Sequence, residues 1–235
     1  MEAIVLAGGL GTRLRSVVPD LPKPLALVNG RPFLCCLFDF WIAQGVTRFI
    51  VSVGYKREAI QEHFGVKYKN AEVDYAIEEE PLGTGGGVIR ALPLLCTEEP
   101  FLVLNGDTFF AVTLAELARR HRSAKADITM SLVEVSANTR YSGVQLDGNG
   151  FIVSLEKRTA HSNNRVANGG VYLINLEVLR GQAGQIKKVS LEDELIPELL
   201  GRHKRILGFV SPGTFLDIGI PEDYHRAAEL LAPYA

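Results

Sequence analysis

The sequence predicts an α/β fold: a Rossmann-like mixed, mainly parallel sheet flanked by helices, with a β-rich second lobe. Short apolar runs alternate with helix-length segments up to about residue 125, the pattern of β-α-β units with parallel strands. From about residue 126 strand-like runs follow one another closely, the spacing of hairpins. No Ser/Gly-rich linker, repeat or low-complexity stretch divides the chain, so 1–235 reads as one domain.

Ala3 to Ala7 is a continuous apolar run ending in glycines, as a strand buried on both faces requires. Pro32 to Gln44 predicts a helix with proline at its first position and Gly45 just past its end. Arg48 to Val53 is the second strand, Lys56 to Phe64 a short helix, and Glu72 to Ile77 a third strand. Gly85 to Leu95 reads as helix and Phe101 to Leu104 as a fourth buried strand. Thr113 caps the helix Leu114 to Arg122, with Glu116 completing a capping box. Strands follow at Asp127 to Val135, Gly143 to Leu146, Phe151 to Leu155 and Gly169 to Ile174. A helix from Leu191 to Leu200 takes Ser190 as cap and is kinked by Pro197. Ile206 to Val210 is a strand, and Pro221 opens the last helix.

With 47% hydrophobic and 22% charged residues the chain can build a substantial core. Its 25 Lys and Arg against 27 Asp and Glu leave a net charge of −2. That balance argues against a nucleic-acid coat and against a polybasic membrane binder. No apolar run reaches the roughly 18 residues of a spanning helix. The opening MEAIVLAGG carries Glu2, lacks a basic leader and reads as a strand. Three cysteines, two of them adjacent at 35 and 36, form neither a disulfide framework nor a metal pair. Buried thiols in a reducing cytoplasm are expected. The five histidines show no ligand spacing.

The chemistry starts at Leu6-Ala7-Gly8-Gly9-Leu10-Gly11-Thr12-Arg13, a glycine-rich loop directly after the first strand. Glycines let backbone N–H groups approach an anion, and ligands of open parallel sheets bind at strand carboxyl ends. The dinucleotide fingerprint is excluded, because Leu14 stands where a glycine is required; no Walker Gly-Lys-Ser/Thr is present. Arg13 and the Pro22-Lys23-Pro24 triplet add cations, the lysine on a stiffened backbone. Together behind a glycine turn they suggest a triphosphate site.

GGLGTRL followed by LPKPLALVNGRPFL resembles the signature of the sugar-1-phosphate nucleotidyltransferases, the nucleoside-diphosphate-sugar pyrophosphorylases. The resemblance runs on through Glu79-Glu80-Pro81-Leu82-Gly83-Thr84-Gly85, Asn105-Gly106-Asp107, Glu156-Lys157, Asn168-Gly169-Gly170 and Phe215-Leu216-Asp217. The GTRLRSVVPDLPKP wording is most similar to the branch that guanylylates D-glycero-α-D-manno-heptose 1-phosphate for surface polysaccharides, with mannose 1-phosphate as the alternative acceptor. The implied reaction is attack of a sugar-1-phosphate oxygen on the α-phosphorus of a nucleoside triphosphate. The attacking phosphate is already anionic near pH 7, so no general base is required, and the protein must hold two anions together.

The resemblance assigns the phosphate chemistry to Arg13, Lys23 and Asp107, and Mg²⁺ to Asp107 and Asp217. It places Leu6, Ala7, Gly8, Gly9, Gly11, Thr12, Gly83 and Thr84 along the nucleotide in the 1–125 part. Gly143, Glu156, Lys157, Asn168 and Gly169 fall to the sugar phosphate in the 126–235 part, and Tyr141 is a candidate for stacking on the sugar ring. Guanine offers N1–H and N2–H₂ donors that a carboxylate accepts. Among Glu78, Glu79 and Glu80, Glu80 is favoured and Glu78 is second. GTP and a sugar 1-phosphate are thus the expected partners, with no nucleic acid and no membrane. The apolar Phe33 to Trp41 segment is either core or a subunit surface, leaving a homo-oligomer open. Competing readings are a cytidylyl- or molybdopterin-guanylyltransferase and a nucleotide-sugar-binding regulatory subunit without turnover. With motifs running to about residue 225, a minimal transferase without an appended allosteric domain is expected.

Overall fold

The computed structural model describes residues 1–14, 17–135, 141, 143–156, 165–182, 184 and 187–234. The strands are β1 (Glu2–Leu6), β2 (Leu27–Val28), β3 (Arg31–Pro32), β4 (Arg48–Val53), β5 (Lys67–Tyr68), β6 (Ala71–Ile77) and β7 (Phe101–Asn105). They continue as β8 (Thr108–Phe110), β9 (Ile128–Glu134), β10 (Gly143–Leu146), β11 (Ile152–Glu156), β12 (Val166–Ile174), β13 (Ile206–Val210) and β14 (Phe215–Asp217). The helices are α1 (Phe33–Ile42), α2 (Arg57–Phe64), α3 (Gly83–Ala91), α4 (Leu114–Ser123), α5 (Leu176–Leu179), α6 (Ile196–Gly201) and α7 (Pro221–Leu231). None of them is long and apolar enough to cross a membrane.

Ten strands form one mixed sheet in the order β11-β10-β12-β7-β1-β4-β6-β5, with β9 pairing both β12 and β13. Its centre is parallel: β1 lies between β4 and β7, and β4 pairs with β6. The second half of the chain joins antiparallel through β12, where Val171 faces Leu104 of β7. The β-rich lobe is therefore a continuation of the central sheet. The pleat of β1 sends Ala3 and Val5 into one core and Ile4 into the other. Helices α1, α2, α4 and α7 cover the first face; α3, α5 and α6 cover the second. Segment 33–41 is core: Phe33, Phe38 and Trp41 are fully buried, and Phe38 stacks on Phe49 at 4.0 Å. Each such ring contributes about 1.5–3 kcal/mol by leaving water.

Several local expectations change. Pro32 is not the first helical residue but belongs to a hairpin, β2–β3, turning at Asn29-Gly30. Helix α3 begins at Gly83 and ends in a 3₁₀ turn at Pro93. Thr113 makes no side-chain cap. The Leu114 N–H is accepted by Gln44 Oε1 at 2.7 Å, and Glu116 turns to Arg119 at 2.6 Å. Ser190 does cap its helix, accepting from Asp193 N–H at 3.0 Å. The expected kink at Pro197 is instead a change of winding, from a π turn over Leu191–Leu195 to α6. Proline, having no N–H, sits in the first turn of α6 where none is needed.

Candidate active site

Strands β1, β4, β6 and β7 run parallel, so their carboxyl ends meet along one edge. The glycine loop leaves β1 there, Glu78 leaves β6, and Asn105-Gly106-Asp107 leaves β7. Two backbone bonds pin the loop's start: Ala7 N–H donates to Ser52 O at 2.8 Å and Gly106 N–H to Leu6 O at 2.9 Å. The loop then forms the wall of a cavity of about 450 Å³. Leu6, Ala7, Gly8, Gly9, Gly11, Thr12, Arg13, Lys23, Glu78, Gly83, Thr84 and Asp107 all face it. Every nucleotide-side residue expected from the sequence lies on this wall except Glu80, which is exposed beside the wall residue Pro81. Arg13 is exposed and makes no ion pair among the described residues.

The three glutamates differ in what they hold. Glu78 is buried; its Oε1 accepts from Ser52 Oγ–H at 2.6 Å and its Oε2 from Leu82 N–H at 2.9 Å. It ties β4 to the turn before α3. Glu79 pairs with Arg57 at 3.0 Å. Glu80 makes no ion pair among the described residues.

At the far end of the cavity Lys23 Nζ lies 2.6 Å from Asp107 Oδ2 and 3.8 Å from Asp217 Oδ1. The two carboxylates come from residues 110 positions apart, brought together by topology. The short ribbon β8–β14 places Asp217 opposite Thr108, and Ile218 N–H donates to Asp107 O at 3.0 Å. The ammonium here stands in for a cation between two hard oxygen donors. No group of three or more potential protein ligands occurs among the described residues. Two carboxylates with room for phosphate and water suit Mg²⁺, which is usually held by one or two carboxylates plus substrate. The donor set fits the expected metal.

A second cavity, of about 260 Å³, opens on the other side of Asn105, which lines both. Gly143, Glu156, Asn168 and Asp217 line it, as does Tyr141, whose ring meets Phe215 edge-on at 5.4 Å. Gly169 is not on this wall. It packs against Phe110, whose ring would lie 2.3 Å from an added Cβ, and Gly170 takes the place expected for it. Lys157 lies outside the described residues. Glu156 is also the acceptor for Gln145 Nε2.

The sequence reading missed Asn105, Glu192, Asp193 and Phe215 on the walls. Asn105 stood inside the quoted Asn-Gly-Asp motif, so its position was the available signal. Glu192 and Asp193 resembled nothing more than first-turn acids after a helix cap.

A nucleotidyl transferase family model matches residues 2–233. The chain belongs to that family. The transferase is 41% identical over 234 residues to the D-glycero-alpha-D-manno-heptose 1-phosphate guanylyltransferase of Aneurinibacillus thermoaerophilus, covering 100% of both. It is 37% identical to the protein of the same name from Campylobacter jejuni, over 96% of this chain and 98% of that one. Among solved structures, HddC from Yersinia pseudotuberculosis complexed with GMP-PN superposes with a TM-score of 0.84 at 34% identity. That match covers 97% of this chain and 98% of HddC.

Proposed function

We propose that this nucleotidyltransferase moves guanylate from GTP to D-glycero-α-D-manno-heptose 1-phosphate, releasing pyrophosphate. The observation that carries the reading is the seam between the two cavities. Lys23, Asp107 and Asp217 sit where a nucleotide on the glycine loop and a sugar phosphate in the smaller cavity would meet. The larger volume suits a nucleoside triphosphate and the smaller a single sugar phosphate. The two heptose 1-phosphate guanylyltransferases that align with this chain over nearly their whole length support guanine and heptose.

The glycine loop offers backbone N–H groups to the triphosphate, and Arg13 adds a planar fork for its oxygens. Lys23, rigid on its Pro-Lys-Pro backbone, neutralises charge at the α-phosphorus as the sugar phosphate oxygen attacks. No protein base is needed, because the nucleophile is an anion already. Asp107 and Asp217 would hold Mg²⁺, which when bound supplies charge neutralisation at the phosphates. Glu80 is our reader of guanine. Glu78 has both oxygens committed and Glu79 is paired with Arg57, which leaves Glu80 at the cavity rim to accept N1–H and N2–H. Lys157 is assigned to the sugar phosphate by resemblance. The reaction belongs in the cytoplasm, where GTP is available and three free thiols stay reduced.

The test is Mg²⁺-dependent pyrophosphate release across four nucleoside triphosphates and a panel of sugar 1-phosphates. The expected best pair is GTP with the heptose 1-phosphate. Absence of release with every pair refutes an enzyme and leaves a binding subunit. Preference for UTP or dTTP refutes the base assignment, and preference for mannose 1-phosphate refutes the acceptor.

A further inference from the structure

The two cavities are joined by more than their shared wall at Asn105. Thr84, on the nucleotide side, donates its hydroxyl to Glu192 Oε2 at 2.7 Å. The other oxygen of Glu192 accepts from Tyr172 Oη–H at 2.7 Å. Tyr172 Oη accepts in turn from Asn168 Nδ2 at 2.5 Å, and Asn168 Oδ1 accepts from Gly170 N–H at 2.9 Å. Thr84 lines the larger cavity; Glu192, Asn168 and Gly170 line the smaller. Tyr172 is fully buried and lines neither. Five residues from three distant stretches of chain thus form one unbroken relay between the walls.

The direction of each bond is fixed by chemistry. A carboxylate has no proton to give, so both the threonine and the tyrosine must donate to it. Asn168 can reach the phenol only as a donor, since the phenol's own proton is spent on Glu192. That sets the amide so its oxygen faces Gly170 N–H, and it leaves one amide orientation on the sugar wall. Burial and the neighbouring carboxylate push the Tyr172 phenol well above its ordinary range, so it stays a donor at any working pH. At the other end, Thr84 Oγ also accepts Leu191 N–H at 2.8 Å, so its rotamer is set as well. Glu192 is the only member whose two halves serve different cavities.

We propose that Glu192 is a positioning residue that couples the nucleotide wall to the sugar wall, so that a change on either side is felt at the other. The inference rests on the two-substrate reading above and adds a role for a residue that reading does not use. Replacing Glu192 with glutamine keeps its volume but puts a donor where an acceptor is required, leaving either the threonine or the tyrosine proton without a partner.

The test combines GTP binding by calorimetry, which needs no turnover, with steady-state constants for both substrates. Tyr172→Phe removes a hydroxyl that touches neither cavity, yet it is expected to weaken GTP binding about 5-fold, the lower end of ordinary coupling between sites. Thr84→Val is expected to raise KM for the sugar 1-phosphate by a similar factor. The Thr84→Val/Tyr172→Phe double variant should bind GTP no more weakly than Thr84→Val alone, because the relay is already cut. Glu192→Gln should raise both KM values about 10-fold, with kcat falling less than either rises. If each single variant affects only the substrate on its own side, or if the double variant is additive, the coupling is refuted. The threonine–tyrosine cycle decides the matter even where Glu192→Gln fails to fold. A wild-type protein without turnover whose GTP affinity still responds to Tyr172→Phe would overturn the functional reading and leave the coupling standing.

Discussion

At opposite ends of the central strands, two clusters set one partly buried cation among carboxylates, and their surroundings differ. At the amino-terminal end of the central strands Arg48 donates to Glu2 at 2.5 Å, to Asp74 at 2.6 Å and to Leu94 O at 2.7 Å. The second oxygen of Glu2 accepts N–H groups from Cys96 at 2.9 Å and Thr97 at 2.8 Å. The Arg48 and Glu2 side chains are only 14% and 9% exposed. At the carboxyl end Lys23 makes one short contact and one long one, and Asp107 is 41% exposed. The first cluster clamps β1, β4 and β6 to the 94–97 segment and has its groups satisfied by protein. The second sets Asp107 and Asp217 around a single compact ammonium, with Thr108 Oγ–H on Asp107 and Gly219 N–H on Asp217, and it faces two cavities. What separates the two clusters is access to these two cavities, since both have similar charge.

That contrast breaks if the two clusters respond alike to removal of their cation. Lys23→Met should cost about 10³-fold in kcat/KM, the scale of losing one preorganised charge at a developing anion, while melting temperature hardly moves. Arg48→Met should do the reverse. It strands a buried carboxylate, so about 3 kcal/mol of stability and roughly 10 °C in melting temperature should be lost, with kcat of the folded fraction unchanged. Matched activity and melting curves on both variants check this pair. A smaller effect sharpens the picture of the loop. An added Cβ at Gly8 would lie 2.6 Å from Glu78 Oε1, an oxygen already held by Ser52. Gly8→Ala should therefore raise KM for GTP about 10-fold without the same rise for the sugar phosphate.

The smallest expected effect is on the structural side. His121 is buried between Thr129 Oγ1 at 2.9 Å and Asn175 Oδ1 at 3.0 Å, and burial pushes its imidazole below the usual histidine range. The unfolded chain therefore binds a proton at a higher pH than the folded one. Stability from this residue is intact above the ordinary histidine pKa and is lost as pH falls through it. The slope cannot exceed about 1.4 kcal/mol per pH unit, the limit for one proton. Subtracting melting curves of His121→Gln from those of the parent between pH 7.5 and about pH 5.5 should isolate that slope, and a flat difference would contradict it.

The same distinction explains what was legible in the sequence. Strand β1 was readable because burial on both faces gives an uninterrupted apolar run, and the glycines after it announced the turn. The hairpin β2–β3 was not, since its strands are two residues each and Pro32 carries an equally good helix-start signal. Thr113 makes no side-chain cap, and the Leu114 N–H beside it is accepted by Gln44, distant in sequence. At the site, Arg13, Lys23 and Asp107 were marked by local motif, and Asp217 by order along the chain. Glu192 and Tyr172 carried no such mark. One resembled a helix-terminal acid and the other a core aromatic, and only the fold brings Thr84 within reach of residue 192. Groups whose role lies in long-range hydrogen bonds are hidden from a local reading.

The most direct test of the account is one preparation of Asp107→Asn, assayed for Mg²⁺-dependent pyrophosphate release from GTP and the heptose 1-phosphate, and for melting temperature. Turnover should fall about 10³-fold or more with the melting temperature essentially that of the parent. Near-normal turnover, or lost turnover accompanied by unfolding as for the Arg48 clamp, would contradict the assignment of this cluster to the chemistry.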